Sequence, residues 1–238
     1  MQCVILAGGL GTRMKPRTDV CPKTLLEVNG HPFAWYQVQH LVKQGVNDIV
    51  YCIGHMGDMV RDYWRERTPA GVTIRYVDEG AELRGTGGAI RLALDEGVLK
   101  EELLVIYGDS YLPVSYGPVM AALREGGKPA VMTLLQNEGR WDKSNVIFKH
   151  GKLIKYDKSP SPEVLAQMKF IDYGLAALRR QAVADRIPAG ARFDLADFYQ
   201  TLSAEGQLDG YEVDQRFYEI GSPAGLSDFT AYLLKNPY

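Results

Sequence analysis

The stretch Leu6-Ala7-Gly8-Gly9-Leu10-Gly11-Thr12-Arg13-Met14-Lys15-Pro16 decides the fold. Its first residues complete the apolar run Val4-Ile5-Leu6-Ala7, which has no polar alternation and so suits a strand buried on both faces. Gly8, Gly9 and Gly11 follow at once, then Thr12, Arg13 and Lys15. Glycines let a backbone turn with positive φ and approach a ligand closely. Unpaired backbone N–H groups at such a turn point at an anion, and a following helix start adds its dipole. The guanidinium of Arg13 is a planar, permanently charged fork that matches phosphate geometry. The stretch therefore reads as a phosphate-binding loop for a nucleoside triphosphate, the plainer alternative being a tight strand-to-helix connection. Two other glycine fingerprints are excluded. A dinucleotide loop requires glycine where Met14 stands, and no Gly-Lys-Ser/Thr triplet of a Walker loop exists in the chain.

The chain has 238 residues, 46% hydrophobic and 24% charged, with a formal net charge of −2. That composition is ordinary for a globular protein, and the balance of charge gives no footprint for nucleic acid or a membrane surface. No apolar run has the length of a membrane span, and the opening residues lack the basic-then-apolar order of a signal peptide. Cys3, Cys21 and Cys52 are odd in number and lack metal spacing, which suits a reducing cytoplasm, with Cys3 and Cys52 as core residues. His31, His40, His55 and His150 form no ligand cluster.

Working outward along the chain, Asn29-Gly30 is a turn signal. Pro32 and Gly45 bracket a helix with Ala34, Val38, Leu41 and Val42 on one face. Strands are expected at 49–53, 72–77 and 103–107. A helical stripe of Met56, Met59, Val60, Tyr63 and Trp64 lies between the first two. A second glycine-rich loop, 78–88, leads into a helix from Ala89 to about Glu96 between the last two. This β–loop–α alternation predicts an α/β fold: a Rossmann-like, doubly wound, mixed but mostly parallel sheet. Ligands bind such sheets beyond the carboxyl ends of the strands, where both glycine loops and Gly108-Asp109 fall. Farther on, strands are expected at 130–135, 170–178 and 216–220, a hairpin over 145–156 turning at His150-Gly151, and helices over 194–204 and 224–235. The expected organisation is one domain over 1–238: residues 1–112 mainly bind nucleotide, and 113–238 add to the same sheet and cover its ligand edge.

The Leu6 to Pro16 stretch followed by Pro22-Lys23-Thr24-Leu25 resembles the signature of the sugar-1-phosphate nucleotidyltransferases, the NDP-sugar pyrophosphorylases. The order of the later motifs is similar along nearly the whole chain. The length and the Gly85-Thr86-Gly87-Gly88-Ala89 segment resemble the short bacterial branch. That branch holds heptose-1-phosphate and mannose-1-phosphate guanylyltransferases and the N-acetylmuramate-1-phosphate uridylyltransferase. The resemblance implies the nucleotide-diphospho-sugar transferase fold and the reaction of an NTP with a sugar 1-phosphate to give an NDP-sugar and pyrophosphate. Such chemistry asks a protein to align two polyanions and neutralise growing charge.

The resemblance also implies roles. Gly8, Gly9, Gly11 and Thr12 cradle the triphosphate, Arg13 neutralises the leaving pyrophosphate, and Lys23 bridges the α-phosphate and the sugar phosphate. Asp109, after a buried strand and a glycine, stands at the first Mg²⁺ ligand, making Arg13, Lys23 and Asp109 the catalytic set. The second ligand is an aspartate in the family, and Glu219 of Tyr218-Glu219-Ile220-Gly221 stands there. Both are hard oxygen donors of the kind Mg²⁺ takes. Leu6, Ala7, Glu79, Gly85 and Thr86 complete the nucleotide-binding positions. In the second half, Lys158 holds the sugar phosphate, Asp157 a sugar hydroxyl, and Asp172 and Asn145 further sugar contacts, Asp172 replacing an asparagine of the family.

Base choice falls to Asp78, Glu79 or Glu82 ahead of the second glycine loop. A carboxylate accepts from the N–H edge of guanine or the amino group of cytosine, and GTP is preferred, with mannose or heptose 1-phosphate as acceptor. A uridylyl- or cytidylyltransferase on another sugar 1-phosphate, and a non-catalytic NDP-sugar sensor, are the alternatives. The oligomeric state stays open, a homodimer being among the states allowed.

Overall fold

The computed structural model describes residues 1–137 and 139–237. In chain order it contains β1 (Gln2–Leu6), then short 3₁₀ turns through Thr12–Met14, Arg17–Asp19 and Lys23–Leu25. The small hairpin β2 (Glu27–Val28) and β3 (His31–Pro32) precedes α1 (Phe33–Lys43), β4 (Asp48–Ile53), α2 (Gly57–Arg65), β5 (Thr73–Asp78) and α3 (Gly85–Asp95). Next come β6 (Glu102–Tyr107), β7 (Ser110–Tyr111), α4 (Tyr116–Glu125), β8 (Ala130–Gln136), β9 (Val146–Lys149) and β10 (Lys152–Tyr156). The chain continues through α5 (Pro162–Leu165), β11 (Phe170–Arg179), α6 (Arg180–Arg186), α7 (Leu195–Ala204), β12 (Leu208–Val213), β13 (Tyr218–Glu219) and α8 (Pro223–Lys235).

Among the described residues, nine strands share one mixed sheet in the order β10-β9-β11-β6-β1-β4-β5, with β8 on β11 and β12 on β8. The block β5-β4-β1-β6 is parallel, and β11 joins it antiparallel to β6. All five residues of β1 are buried, as its unbroken apolar run requires. Cys3 and Ile5 face α1, α2 and α4, while Val4 and Leu6 face α3, α6 and α7. The sheet is thus the middle of three layers. A smaller core, with Phe33, Tyr36, Tyr111 and Phe229, packs α8 against α1.

The expected alternation is present, and both turn signals hold: Asn29-Gly30 joins β2 to β3, and His150-Gly151, both at positive φ, joins β9 to β10. Four differences have physical causes. Helix α3 begins at Gly85, four residues before the expected start at Ala89, because a distant carbonyl caps it, as described below. The α2 stripe loses Met59, which is 40% exposed, and Met56, which lies ahead of the helix at φ 56°; Val60 and Trp64 carry the contact. The strand expected over 216–220 shrinks to β13, since Arg216 leaves the strand to stack between Trp141 and Tyr218. Strand β12, with Asp209, Gly210 and Glu212, lacks an apolar pattern and forms by pairing in parallel with β8.

Candidate active site

Because β1, β4, β5 and β6 are parallel, the segments after their last residues meet on one edge. They enclose a cavity of about 260 Å³ lined by Leu6, Ala7, Gly8, Gly9, Lys23, Thr24, Glu79, Leu83, Gly85, Thr86, Ala89, Tyr107, Gly108 and Asp109. The glycine loop, the Pro-Lys segment, the second glycine-rich segment and the Gly-Asp strand end, four motifs far apart in sequence, form this one wall.

The bare Gly8 leaves room for the Glu79 carboxylate, which a Cβ at that position would displace. Of the three acidic candidates ahead of the second loop, only Glu79 lines the cavity. It is buried, and one of its oxygens accepts the Arg84 N–H at 2.6 Å. Burial raises its carboxyl above the usual range, against the pull of that N–H and of the Arg84 charge. Asp78 is turned outward to Arg61 at 2.8 Å and to the Gly80 N–H at 2.9 Å, and Glu82 is exposed.

The second glycine-rich segment is a helix start rather than an open phosphate nest. The Gly87 and Gly88 N–H groups both donate to the Phe193 carbonyl, at 2.9 and 3.0 Å, and Phe193 N–H donates to the Arg84 carbonyl at 2.8 Å. Two of the donors that a helix start leaves unsatisfied thus find a partner more than a hundred residues away. Gly85 sits at φ 75°, and a Cβ there would lie 2.6 Å from Phe193 O. The Thr86 hydroxyl donates to Asp194 at 3.1 Å and accepts the Leu195 N–H at 2.8 Å. Gly85 and Thr86 therefore line the cavity, while the Thr86 hydroxyl and the Gly87 and Gly88 N–H groups tie α3 to the segment that starts α7.

At the mouth of the cavity, Lys23 Nζ lies 2.5 Å from Asp109 Oδ2, and both side chains are about four-fifths buried, 20% and 18% exposed. Gly221 adjoins both the Arg13 guanidinium and the Asp109 carboxylate. The Asp109 carbonyl accepts the Ile220 N–H at 2.9 Å, and β7 pairs with β13 so that Ser110 faces Glu219. Glu219 keeps solvent-facing surface. Crowding by the surrounding protein, then the Asp109 charge, push its carboxyl up to about 7, and Lys23 and Arg13 pull the other way. Arg13, Lys23, Asp109 and Glu219 thus gather at one point. Gly11 and Thr12 lie outside the cavity lining, in the turn that carries Arg13.

The second-half candidates gather around the ends of β9, β10 and β11. The Asn145 side-chain oxygen accepts the Asp172 N–H at 2.9 Å, and the Asn145 carbonyl accepts the Asp157 N–H at 2.9 Å. Asp157 also accepts the Ser159 N–H at 3.0 Å and pairs with Lys155 at 3.2 Å. Lys158 is held by Asp197 at 2.9 Å and Asp194 at 3.6 Å, which raise its pKa, the Asp197 hydrogen bond first. Asp172 sits near Tyr107, Tyr156 and Tyr199; burial pushes its carboxyl up to about 6, opposed by the Gly174 N–H at 2.9 Å. Tyr107 borders the cavity as well, so it links the two halves of the site. Asp194, Asp197 and Tyr107 escaped the sequence reading; only a contact map would have drawn them in.

No group of three or more His, Cys, Asp or Glu side chains forms a metal cluster among the described residues, and no helix there is long and apolar enough to cross a membrane. A family model described as a MobA-like NTP transferase domain matches residues 3–186. The D-glycero-alpha-D-manno-heptose 1-phosphate guanylyltransferase of Campylobacter jejuni is 25% identical over 236 residues, covering 99% of this chain and 100% of that one. The mannose-1-phosphate guanylyltransferase catalytic subunit beta of Xenopus tropicalis is 28% identical over 229 residues, 94% of this chain but 62% of its own length. The crystal structure of HddC from Yersinia pseudotuberculosis shares the fold, with a TM-score of 0.80 at 22% identity over 98% of this chain and 99% of that one. The chain belongs to the MobA-like NTP transferase domain family, among the sugar-1-phosphate nucleotidyltransferases.

Proposed function

We propose that this protein transfers a guanylyl group from GTP to mannose or heptose 1-phosphate, releasing pyrophosphate, and that it uses Mg²⁺. The observation that carries the reading is the contact of Lys23 with Asp109 at the mouth of the glycine-loop cavity, with Arg13 and Glu219 beside it. Guanine is favoured because Glu79, a pure acceptor when ionised, lines the cavity and could receive the guanine N1–H and amino edge. The mannose or heptose acceptor rests on the names of the relatives.

The donor set fits Mg²⁺. Asp109 and Glu219 supply hard oxygens, and an ammonium already sits against Asp109 as a stand-in cation. When bound there, Mg²⁺ would neutralise phosphate oxygens and help align them. The chain's own residues do the rest. The Gly8–Gly11 backbone receives the triphosphate, and Arg13 takes up charge on the departing pyrophosphate. Lys23 exchanges its Asp109 partner for phosphate oxygens and holds donor and acceptor phosphates together for in-line attack. Lys158, leaving Asp194 and Asp197, steadies the acceptor phosphate, while Asp172 and Asp157 receive sugar hydroxyls. Holding both polyanions in line is where most of the rate enhancement would come from.

The test is pyrophosphate release measured for each NTP against a panel of sugar 1-phosphates. Highest turnover is expected with GTP and mannose or heptose 1-phosphate. Turnover with UTP or CTP and none with GTP would overturn the base assignment. Tight nucleotide binding with no turnover in any combination would make the protein a sensor.

A further inference from the structure

The geometry points to Gln37 as a positioning residue that holds the Asp109 strand end in place from the far side of the sheet, setting the Asp109 and Glu219 carboxylates relative to one another. The inference rests on the reading of those two carboxylates as a cation site. Gln37 lies on α1, among Ala34, Val38 and Leu41, whose side chains are wholly buried in the core. It is 2% exposed, and an amide in such a place is costly unless its hydrogens are used. Both are used. Gln37 Nε2 donates to the Tyr107 carbonyl at 2.9 Å and to the Ser110 carbonyl at 2.7 Å.

Those two carbonyls bracket Gly108-Asp109. Strand β6 ends at Tyr107 and β7 begins at Ser110, so the link between them lies outside the regular ladder. The Gly108 N–H is fixed to Leu6 O at 2.8 Å, and the Asp109 carbonyl to the Ile220 N–H at 2.9 Å. Gln37 supplies the remaining grip, one side chain closing the link at both ends. Ser110 is also the residue that faces Glu219 across β7 and β13. The same amide therefore restrains the segment carrying Asp109 and the strand pairing that presents Glu219. Gln37 Oε1 is buried with no hydrogen-bond partner among the described residues, and turning the amide over would set that oxygen against two carbonyls. An apolar side chain would have suited the core at this position equally well; what it could not supply is the pair of donors. Gln37 is absent from the cavity lining, so it acts through Asp109 and not on a ligand.

The test uses the full chain and two variants, Gln37→Met, which keeps the length and removes both donors, and Gln37→Asn, which keeps an amide that reaches only one carbonyl. Mn²⁺ binding is followed by electron paramagnetic resonance in the presence of inorganic tripolyphosphate, a probe independent of the base and sugar. Tripolyphosphate affinity without metal is measured alongside. Mn²⁺ affinity is expected to fall about tenfold or more in Gln37→Met, with Gln37→Asn between it and the wild type, while metal-free tripolyphosphate binding is unchanged. In an Asp109→Asn background, adding Gln37→Met should cost less Mn²⁺ affinity than it does in the wild type, because one of the two carboxylates that the amide sets is already lost. Equal Mn²⁺ affinity in wild type and Gln37→Met overturns the positioning role and leaves the cation site standing. Equal losses with and without metal also overturn it, since they mark a general packing defect. A wild type that binds no Mn²⁺ removes the cation site, and this inference with it.

Discussion

Replacing Gly85 by alanine tests the part of the site that departs most from the pattern of its sequence. Gly85 opens α3 at φ 75°, and the added Cβ would stand 2.6 Å from the carbonyl oxygen of Phe193, a backbone atom that cannot swing aside. The left-handed backbone alone costs an alanine about 1–2 kcal/mol. Overpacking against a fixed neighbour adds about 1–3 kcal/mol, and relief by retreat of the 191–195 segment would break the Gly87 and Gly88 bonds to Phe193 O. Gly97, at the other end of the same helix, is the internal control. Its φ is 70°, and nothing lies within 4 Å of its Cβ position. Gly97→Ala should therefore show the backbone cost alone. For a chain of this size each kcal/mol moves the melting temperature by roughly 2–4 °C. Gly85→Ala should melt below Gly97→Ala by at least about 2 °C in differential scanning calorimetry, and its Thr86 contact with Asp194 should loosen. Equal melting temperatures for the two variants would refute the close approach of Phe193 to the helix start.

Two further perturbations address the charges. Lys23→Met removes the cation beside Asp109, and turnover measured by pyrophosphate release should fall by about 10²–10³, the usual cost of one preorganised donor; a loss under about threefold would refute its place between the phosphates. Asp48, whose side chain is 6% exposed, is a carboxylate on which burial acts upward, yet Lys100 at 2.8 Å and Arg75 hold its pKa below the usual value. A carboxyl depressed in the folded state contributes stability that is complete above its unfolded pKa of about 4 and is lost as the pH falls through its folded value. The stability gap between wild type and Asp48→Asn, from urea titrations, should shrink from about pH 6 to about pH 3; a constant gap would refute the pairing.

What the sequence made legible was whatever is encoded locally. An apolar run breaking into Gly8 and Gly9, a Pro-Lys pair, and a buried strand ending in Gly108-Asp109 each announce themselves within a few residues, and parallel strands then bring them together. The start of α3 was hidden because glycine is a poor helix former, so its propensity argues for a loop until the Phe193 carbonyl is in view. The choice of Glu79 over Asp78 depended on Arg61, contributed by another helix. Gln37 carries no local signal in the sequence; the two carbonyls it bonds lie about seventy residues away. Strand β12 carries polar residues at Asp209 and Glu212, and β8 supplies the pairing that its own pattern does not.

The order of strands in the sheet has a consequence for how the chain is made. Of the strands in this sheet β1 is synthesised first, and it ends in the middle, between β4 and β6. The open edge of β6 is covered by β11, and β8 finds its second neighbour only when β12, at Leu208–Val213, has appeared. A growing chain that has reached residue 112 thus carries a hydrophobic strand edge with nothing to close it. Pairings over such long separations form slowly and leave the intermediate open to association with other chains. The parallel block is complete in its residues long before it is complete as a structure. The emergence of β12, not that of the first four parallel strands, therefore sets the moment at which the sheet can be completed.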